Sequence, residues 1–458
     1  FYDGVRLISD FSSGGFAGPM TNCDLIIKAD HVLTMNGNLD VIRDGAIAVS
    51  GVNIVAVDAA DRVMAEYRSD RILGGPYTVA FPGLVNTHTH SPMVYFRGLG
   101  DDLPLKVWLE EHIWPAESKW LSHEFVQDAV ELACLEMLKA GITTFSDMYF
   151  YGDAIAGSVK KAGMRAVIGA GILDFPSATA QTTDEYLARA EHFIRDWRDD
   201  DLVIPAVAPH APYTCSPETM KRAKELSLKY QVPLHLHLAE TEWEVQELLG
   251  RYGRRPIDLL HDLGILDKQV IAAHCVWASD EEIDILAKTG TGVAHCIESN
   301  LKLASGIAPV VKMLRAGVKV AFGTDGAASN NDLDILSEMA TAAKVHKAIS
   351  GDPTALNARQ AMLMATRSGA EMLGLGSISG SIQIGRSADI VIADLNRSHL
   401  VPLYDIYSHI VYSMKASDVS TVLIQGRVLI DQGRPTTLDE DAVHARARSW
   451  AEKIRTNA

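Results

Sequence analysis

The sequence predicts a (β/α)8 TIM barrel carrying a small β-sandwich assembled from its N- and C-terminal segments. Three observations lead there. Between residues 81 and 380, eight short apolar runs alternate with longer amphipathic segments, the rhythm of a parallel sheet wrapped by helices. On both sides of that region the chain changes to short strands and turns, with too few residues in either piece to bury a core alone. The apolar runs end repeatedly in histidine or aspartate, at the strand ends where such a barrel presents its reactive groups.

Taken in order, residues 1–19 are rich in Gly and Ser and are expected to be an added or disordered leader outside the fold. Residues 20–80 form the first part of the sandwich, with β-rich runs at 24–29, 32–35, 45–49 and 53–58 and a turn at Ser50-Gly51. Residues 81–380 form the barrel. Its strands are expected at 81–90, 143–147, 166–170, 203–207, 234–237, 270–274, 292–295 and 318–325, with amphipathic helices such as 125–140 and 216–230 between them. Residues 381–440 complete the sandwich with a strand at 390–394 and a hairpin turning at Gln425-Gly426. The segment 441–458 is helical, and Thr437 with Glu440 has the spacing of a capping box ahead of it.

With 458 residues the chain is long enough for two or three units, or for one large barrel with an addition. Its net charge of −16 argues against nucleic acid and anionic membranes as partners. No apolar run is long enough to span a bilayer, and the start does not read as a secretory signal. Cys23, Cys134, Cys215, Cys275 and Cys296 show no CxxC spacing, so reduced thiols and a cytoplasmic setting are expected.

The chemistry begins at Phe81-Pro82-Gly83-Leu84-Val85-Asn86-Thr87-His88-Thr89-His90. Residues two apart on an extended strand face the same side, so His88 and His90 can reach one ion. Later strands end at His210, His237 with Glu240 three residues on, His274, His295 and Asp325. His88, His90, His237 and Asp325 make an N3O set suited to a single divalent ion with a position left for water. Zinc is the default, and Fe2+ or Mn2+ would suit the same atoms. His235 shares the inward parity of His237 one layer deeper, where it would support a ligand by hydrogen bonding or pack. Cys275 and Cys296 are expected to face the helices. No lysine ends the fourth strand to bridge a second ion, which favours one metal.

These residues sit in stretches that resemble the amidohydrolase superfamily, and within it the methylthioadenosine/S-adenosylhomocysteine deaminases. The stretches are 82–93 with Arg97-Gly98, Asp147-Met148-Tyr149-Phe150, Pro209-His210-Ala211-Pro212-Tyr213, His237-Leu238-Ala239-Glu240-Thr241, 299–306 and 323–330. The resemblance implies metal ligation by His88, His90, His237 and Asp325. It implies proton transfer by Glu240 and a water-orienting role for His274. It further implies that Glu117 holds ribose hydroxyls and that His210 touches substrate; His295 is also placed at the substrate. The expected reaction is hydrolysis of the 6-amino group of 5′-methylthioadenosine, S-adenosylhomocysteine or adenosine, in a homo-oligomer (dimer or tetramer). Two departures stand out. Residues 174–184 hold no arginine for an amino-acid tail, and the segment His295-Cys296-Ile297-Glu298 lacks the proline that relatives often carry there. The alternative is an amidohydrolase acting on a triazine or guanine-type ring. The H-x-E with P-C-x-x-C signature of zinc cytidine deaminases is absent.

Overall fold

The computed structural model describes residues 20–456, so the leader expected at 1–19 lies outside the described residues. Apart from a short pairing of Thr21–Asn22 with Tyr67–Arg68, the fold opens with β1 (Leu25–Leu33), β2 (Val41–Ser50), β3 (Asn53–Ala59) and β4 (Ile72–Pro82). The runs expected at 24–29 and 32–35 belong to one strand, β1. β1 and β2 pair antiparallel, as do β2 and β3, while β4 runs parallel to β1.

After Gly83 the chain enters β5 (Leu84–Thr89), the first barrel strand. No side chain fits at Gly83, because a Cβ there would lie 2.0 Å from Thr143 Oγ1. A helical segment from Leu105 leads into α1 (Trp114–Trp120), followed by α2 (His123–Lys139), whose first turn is capped by Ser122 accepting from the Phe125 amide. The remaining barrel strands are β6 (Ile142–Tyr149), β7 (Arg165–Ile172), β8 (Val203–Pro209), β9 (Leu234–Leu238), β10 (Val270–His274), β11 (Gly292–His295) and β12 (Val320–Phe322). Helices α3 (Pro217–Tyr230), α4 (Glu242–Tyr252), α5 (Ile297–Lys302), α6 (Ile335–Ser350) and α7 (Arg367–Met372) pack among them.

The eight strands pair in parallel in chain order. The last meets the first through Thr87 Oγ1, which donates to the Phe322 carbonyl at 2.8 Å, and the Asp325 amide, which donates to the His88 carbonyl at 3.0 Å. Small inward side chains fill the lower interior: Val85, Val167, Ala206, Ile271, Ala294 and Ala321 form one cluster with Met372 and Leu373 at the end of α7. The barrel is a packed core below and a cavity above.

The chain then returns to the sandwich with β13 (Ile390–Asp394), β14 (Val419–Ile424), β15 (Arg427–Asp431) and β16 (Arg434–Pro435). β13 pairs antiparallel with β4, joining both ends of the chain in one eight-stranded sheet of order β16-β15-β14-β13-β4-β1-β2-β3. Gln425 and Gly426 take φ of 51° and 73°, the left-handed pair that a tight hairpin needs. Between sheet and barrel, Arg165 at the foot of β7 pairs with Asp389, which also accepts from Ser387 Oγ at 2.7 Å and the Gln425 amide at 2.9 Å, all buried or nearly so.

Helix α8 (Glu440–Thr456) packs on α2, with the Phe125 and Trp450 rings 5.1 Å apart. The capping box expected from Thr437 and Glu440 does not form. Asp439 accepts from the Ala442 amide at 3.1 Å, Thr437 donates to the Ala162 carbonyl, and Glu440 reaches Lys139 instead. Among the described residues no helix is long and apolar enough to cross a membrane.

Candidate active site

Above the packed interior lies a cavity of about 330 Å³. His90, His210, His237, His274, Glu240 and Asp325 reach it from the strand ends, and Glu117 reaches it from α1. Trp108 and Trp114, from the helical segment over the mouth, join Phe175 in its apolar wall, with Trp114 and Phe175 rings 5.8 Å apart.

Three devices aim the strand ends inward. Between β5 and β6 the register slips from Asn86 to Thr89, so that His88 and His90 come to the interior although Val85 already lies there. At β12, alternation from Ala321 brings Gly323 and Asp325 inward. Gly323 must lack a side chain, because a Cβ there would lie 2.8 Å from His88 Cβ. At β10, Ala273 points inward, and His274 then takes φ of 74°, a left-handed backbone that turns its ring to the cavity as well.

The imidazoles are oriented by the nitrogen that faces away from the site. His90 Nδ1–H donates to the Met148 carbonyl at 2.6 Å, and His237 Nδ1–H to the His210 carbonyl at 3.0 Å. His88 Nδ1 meets His235 Nε2 at 2.9 Å, and His235 Nδ1 meets Ser146 Oγ at 3.1 Å. Each Nε2 is thereby left with its lone pair. His90 Nε2 lies 3.2 Å from His237 Nε2, while Asp325 Oδ1 lies 3.2 Å from His90 Nε2 and 3.4 Å from His88 Nε2. His88 Nε2 is buried and has no hydrogen-bond partner. Lone pairs converging on a carboxylate oxygen, one of them orphaned, are the donor set of a cation site. One ligand atom from each of His88, His237, His274 and Asp325 also lies within 4.8 Å of the others, so His274 stands close enough to compete for an ion.

Burial alone would raise Asp325, but the His88 and His90 imidazoles against it hold its carboxyl well below the usual carboxylate range. Its Oδ2 is occupied by Ser299 Oγ at 2.7 Å and Ser329 Oγ at 2.9 Å. Glu240 behaves oppositely. Burial, then the charge of Asp325, pushes it up to about 8. Its backbone is held by Glu244, which accepts from the Ala239 and Glu240 amides, both at 2.9 Å. Glu117 is pushed up to about 7 by burial, and its Oε1 accepts from Tyr149 Oη. His210 is driven down to about 3 by burial, then by the other histidines, and its Nδ1 meets Thr214 Oγ1 at 2.9 Å.

His295 is not brought to the cavity. Alternation that carries Ala294 inward turns His295 out to α6, where it meets His346 Nε2 at 3.0 Å. The Cys275 and Cys296 side chains are both buried, and neither lines the cavity. Sequence reasoning overlooked Glu244, Tyr149 and Asn300. Only Glu244 left a signal, since Thr241 and Glu244 have capping-box spacing; Thr241 does cap α4, but the Glu244 carboxylate reaches one and two residues further back.

The amidohydrolase family model matches residues 79–429, the whole barrel together with strands β13 and β14 of the sheet. The chain belongs to the amidohydrolase family. This amidohydrolase is 52% identical over 434 residues to the 5-methylthioadenosine/S-adenosylhomocysteine deaminase of Thermodesulfovibrio yellowstonii, covering 94% of this chain and 99% of that one. It is 43% identical over 435 residues to the 5'-deoxyadenosine deaminase of Methanosarcina barkeri, with 94% and 99% covered. Among solved structures, an adenosine deaminase from Xanthomonas campestris with bound zinc superimposes with a TM-score of 0.94 at 43% identity, covering 96% of this chain and all of that one. An atrazine chlorohydrolase from Arthrobacter aurescens, complexed with zinc, gives 0.86 at 26% identity, with 93% and 100% covered. Both superpositions extend over the barrel and the sheet.

Proposed function

We propose that this amidohydrolase replaces the 6-amino group of adenosine-type nucleosides with a 6-oxo group, consuming water and releasing ammonia. Adenosine, 5′-methylthioadenosine and S-adenosylhomocysteine are the substrates in view. The observation that carries the reading is a pair of buried carboxyls facing one cavity: Glu240 beside the His/Asp cluster, and Glu117 on the wall.

His88, His90, His237 and Asp325 would hold one divalent ion, zinc by donor type. When bound, such an ion makes water a competent nucleophile near neutral pH. Asp325, kept anionic by His88 and His90, takes a proton from the attacking water. Glu240, neutral up to about pH 8, gives its proton to the ring nitrogen and later assists departure of ammonia. His274 stabilises charge on the attacked carbon's new oxygen. His210 borders the base, and Glu117 accepts from the ribose hydroxyls. The apolar wall of Trp108, Trp114 and Phe175 excludes water around the ring. The same reading takes the enzyme to be a cytoplasmic homo-oligomer. Five unpaired thiols, four of them buried, support a reducing compartment, and sedimentation measures the assembly.

Purified, zinc-loaded enzyme is to be offered adenosine, 5′-methylthioadenosine, S-adenosylhomocysteine, guanine and a chlorotriazine, with ammonia and chloride both measured. Ammonia release fastest from a nucleoside supports the reading. Chloride release faster than any deamination replaces it with ring dechlorination.

A further inference from the structure

Residues 299–306 carry none of the roles above, yet they touch three reacting groups. Ser299 Oγ donates to Asp325 Oδ2 at 2.7 Å, Ser305 Oγ donates to Glu240 Oε1 at 3.4 Å, and the Asn300 side-chain amide meets His274 Nδ1 at 3.0 Å. Asn300 is fully buried on α5, and its Oδ1 has no hydrogen-bond partner.

The other end of the His274 ring decides which way the amide works. His274 Nε2 lies 3.7 Å from Glu240 Oε2, and Asp325 is a second carboxyl whose charge acts on the ring. A lone pair facing the anionic Asp325 carboxylate is unfavourable, so the proton of the neutral ring belongs on Nε2. Nδ1 is then a bare acceptor, which the amide N–H of Asn300 satisfies. The ring is held there by the left-handed backbone at His274, a conformation a histidine rarely adopts without compensation.

We infer that Asn300 is a positioning residue: by donating to Nδ1 it fixes the His274 tautomer with the proton on Nε2, keeping His274 out of the ligand set and making it a donor to the cavity. Five residues converge closely enough to bind an ion, and the tautomer separates His274 from the other four. The turnover arm of the test rests on the deaminase reading.

Asn300→Asp is nearly isosteric but can only accept, so it draws the proton to Nδ1 and leaves a lone pair on Nε2. The expected result is a folded, metal-loaded enzyme whose kcat for 5′-methylthioadenosine falls by a factor on the order of 10² to 10³, with KM within about threefold of wild type, as a misplaced imidazole proton predicts. In the cobalt(II)-loaded protein, the visible bands of Asn300→Asp should differ from wild type, because His274 now ligates. A kcat within about threefold of wild type, or a loss confined to KM, overturns the inference. If Asn300→Asp does not fold, Asn300→Ala decides by the same division between kcat and KM. If wild type deaminates no nucleoside, the proposed function fails, and the cobalt spectra alone decide here: identical spectra in the two proteins overturn the positioning role.

Discussion

Removing the Glu117 carboxyl tests how the enzyme tells a nucleoside from a bare ring. Glu117 is buried at the cavity wall, and Tyr149 Oη already occupies Oε1, which leaves Oε2 as the freer acceptor for a sugar. A hydrogen bond to a charged group contributes about 1.5–3 kcal/mol. Losing one of two ribose contacts should therefore cost about 10- to 150-fold in kcat/KM. Wild type should prefer 5′-methylthioadenosine over its 2′-deoxy analogue by roughly that factor, and Glu117→Ala should bring the ratio near unity. The preference should also depend on pH. With its carboxyl raised to about 7 by burial, Glu117 is protonated and a poorer acceptor below that pH, and becomes a carboxylate above it. The ribo-to-deoxy ratio should rise between about pH 6 and 8 in wild type and stay flat in Glu117→Ala. The assay is kcat/KM for both nucleosides and for adenine, in both proteins, across that range. An unchanged ratio in Glu117→Ala refutes the sugar contact, whatever happens to absolute rates.

Glu240→Gln keeps the shape and removes the titrating proton. It should retain its metal and lose a factor on the order of 10² to 10⁴ in kcat, so wild-type turnover would remove Glu240 from the proton path. His237→Ala should lose metal and activity together while circular dichroism stays native, since one ligand is local to a large core; metal analysis finding two tightly held ions per wild-type chain would contradict the single site. Arg165→Ala strands the buried Asp389 carboxylate between barrel and sheet. It should cost about 3–5 kcal/mol by chemical denaturation while leaving the kcat of folded enzyme unchanged, and a loss under about 1 kcal/mol would show that Ser387 and the Gln425 amide suffice.

The barrel was legible because its signal is repetitive: eight apolar runs, each wanting two buried faces, leave few other solutions. The hairpin at Gln425-Gly426 was legible for a local reason, two residues that tolerate positive φ. Strand β4 was not, because Gly74-Gly75 and Pro76 break its pattern and its pairing partner β13 lies far along the chain. At the site, residues at strand ends could be named, but their facing could not always be counted. His295 follows simple alternation and leaves the site. His274 breaks alternation through a left-handed backbone and enters it, and no residue type at position 274 announces that. Groups such as Asn300 and Tyr149 act through contacts across the barrel, which spacing along the sequence does not encode.

The continuity of β4 into β5 across Gly83 has a consequence for synthesis on the ribosome. β4 pairs with β1 soon after it emerges, but its other edge waits for β13, and everything from Pro82 to Ile390 must be translated first. At about 5–20 residues per second that interval is on the order of 15–60 s. Throughout it, an apolar strand edge stands open to pairing with another nascent chain, and the strand it feeds is the one bearing His88 and His90. Slow elongation or a shortage of chaperones should therefore lower the yield of soluble enzyme, although the finished chain covers that edge from Thr78 to Pro82.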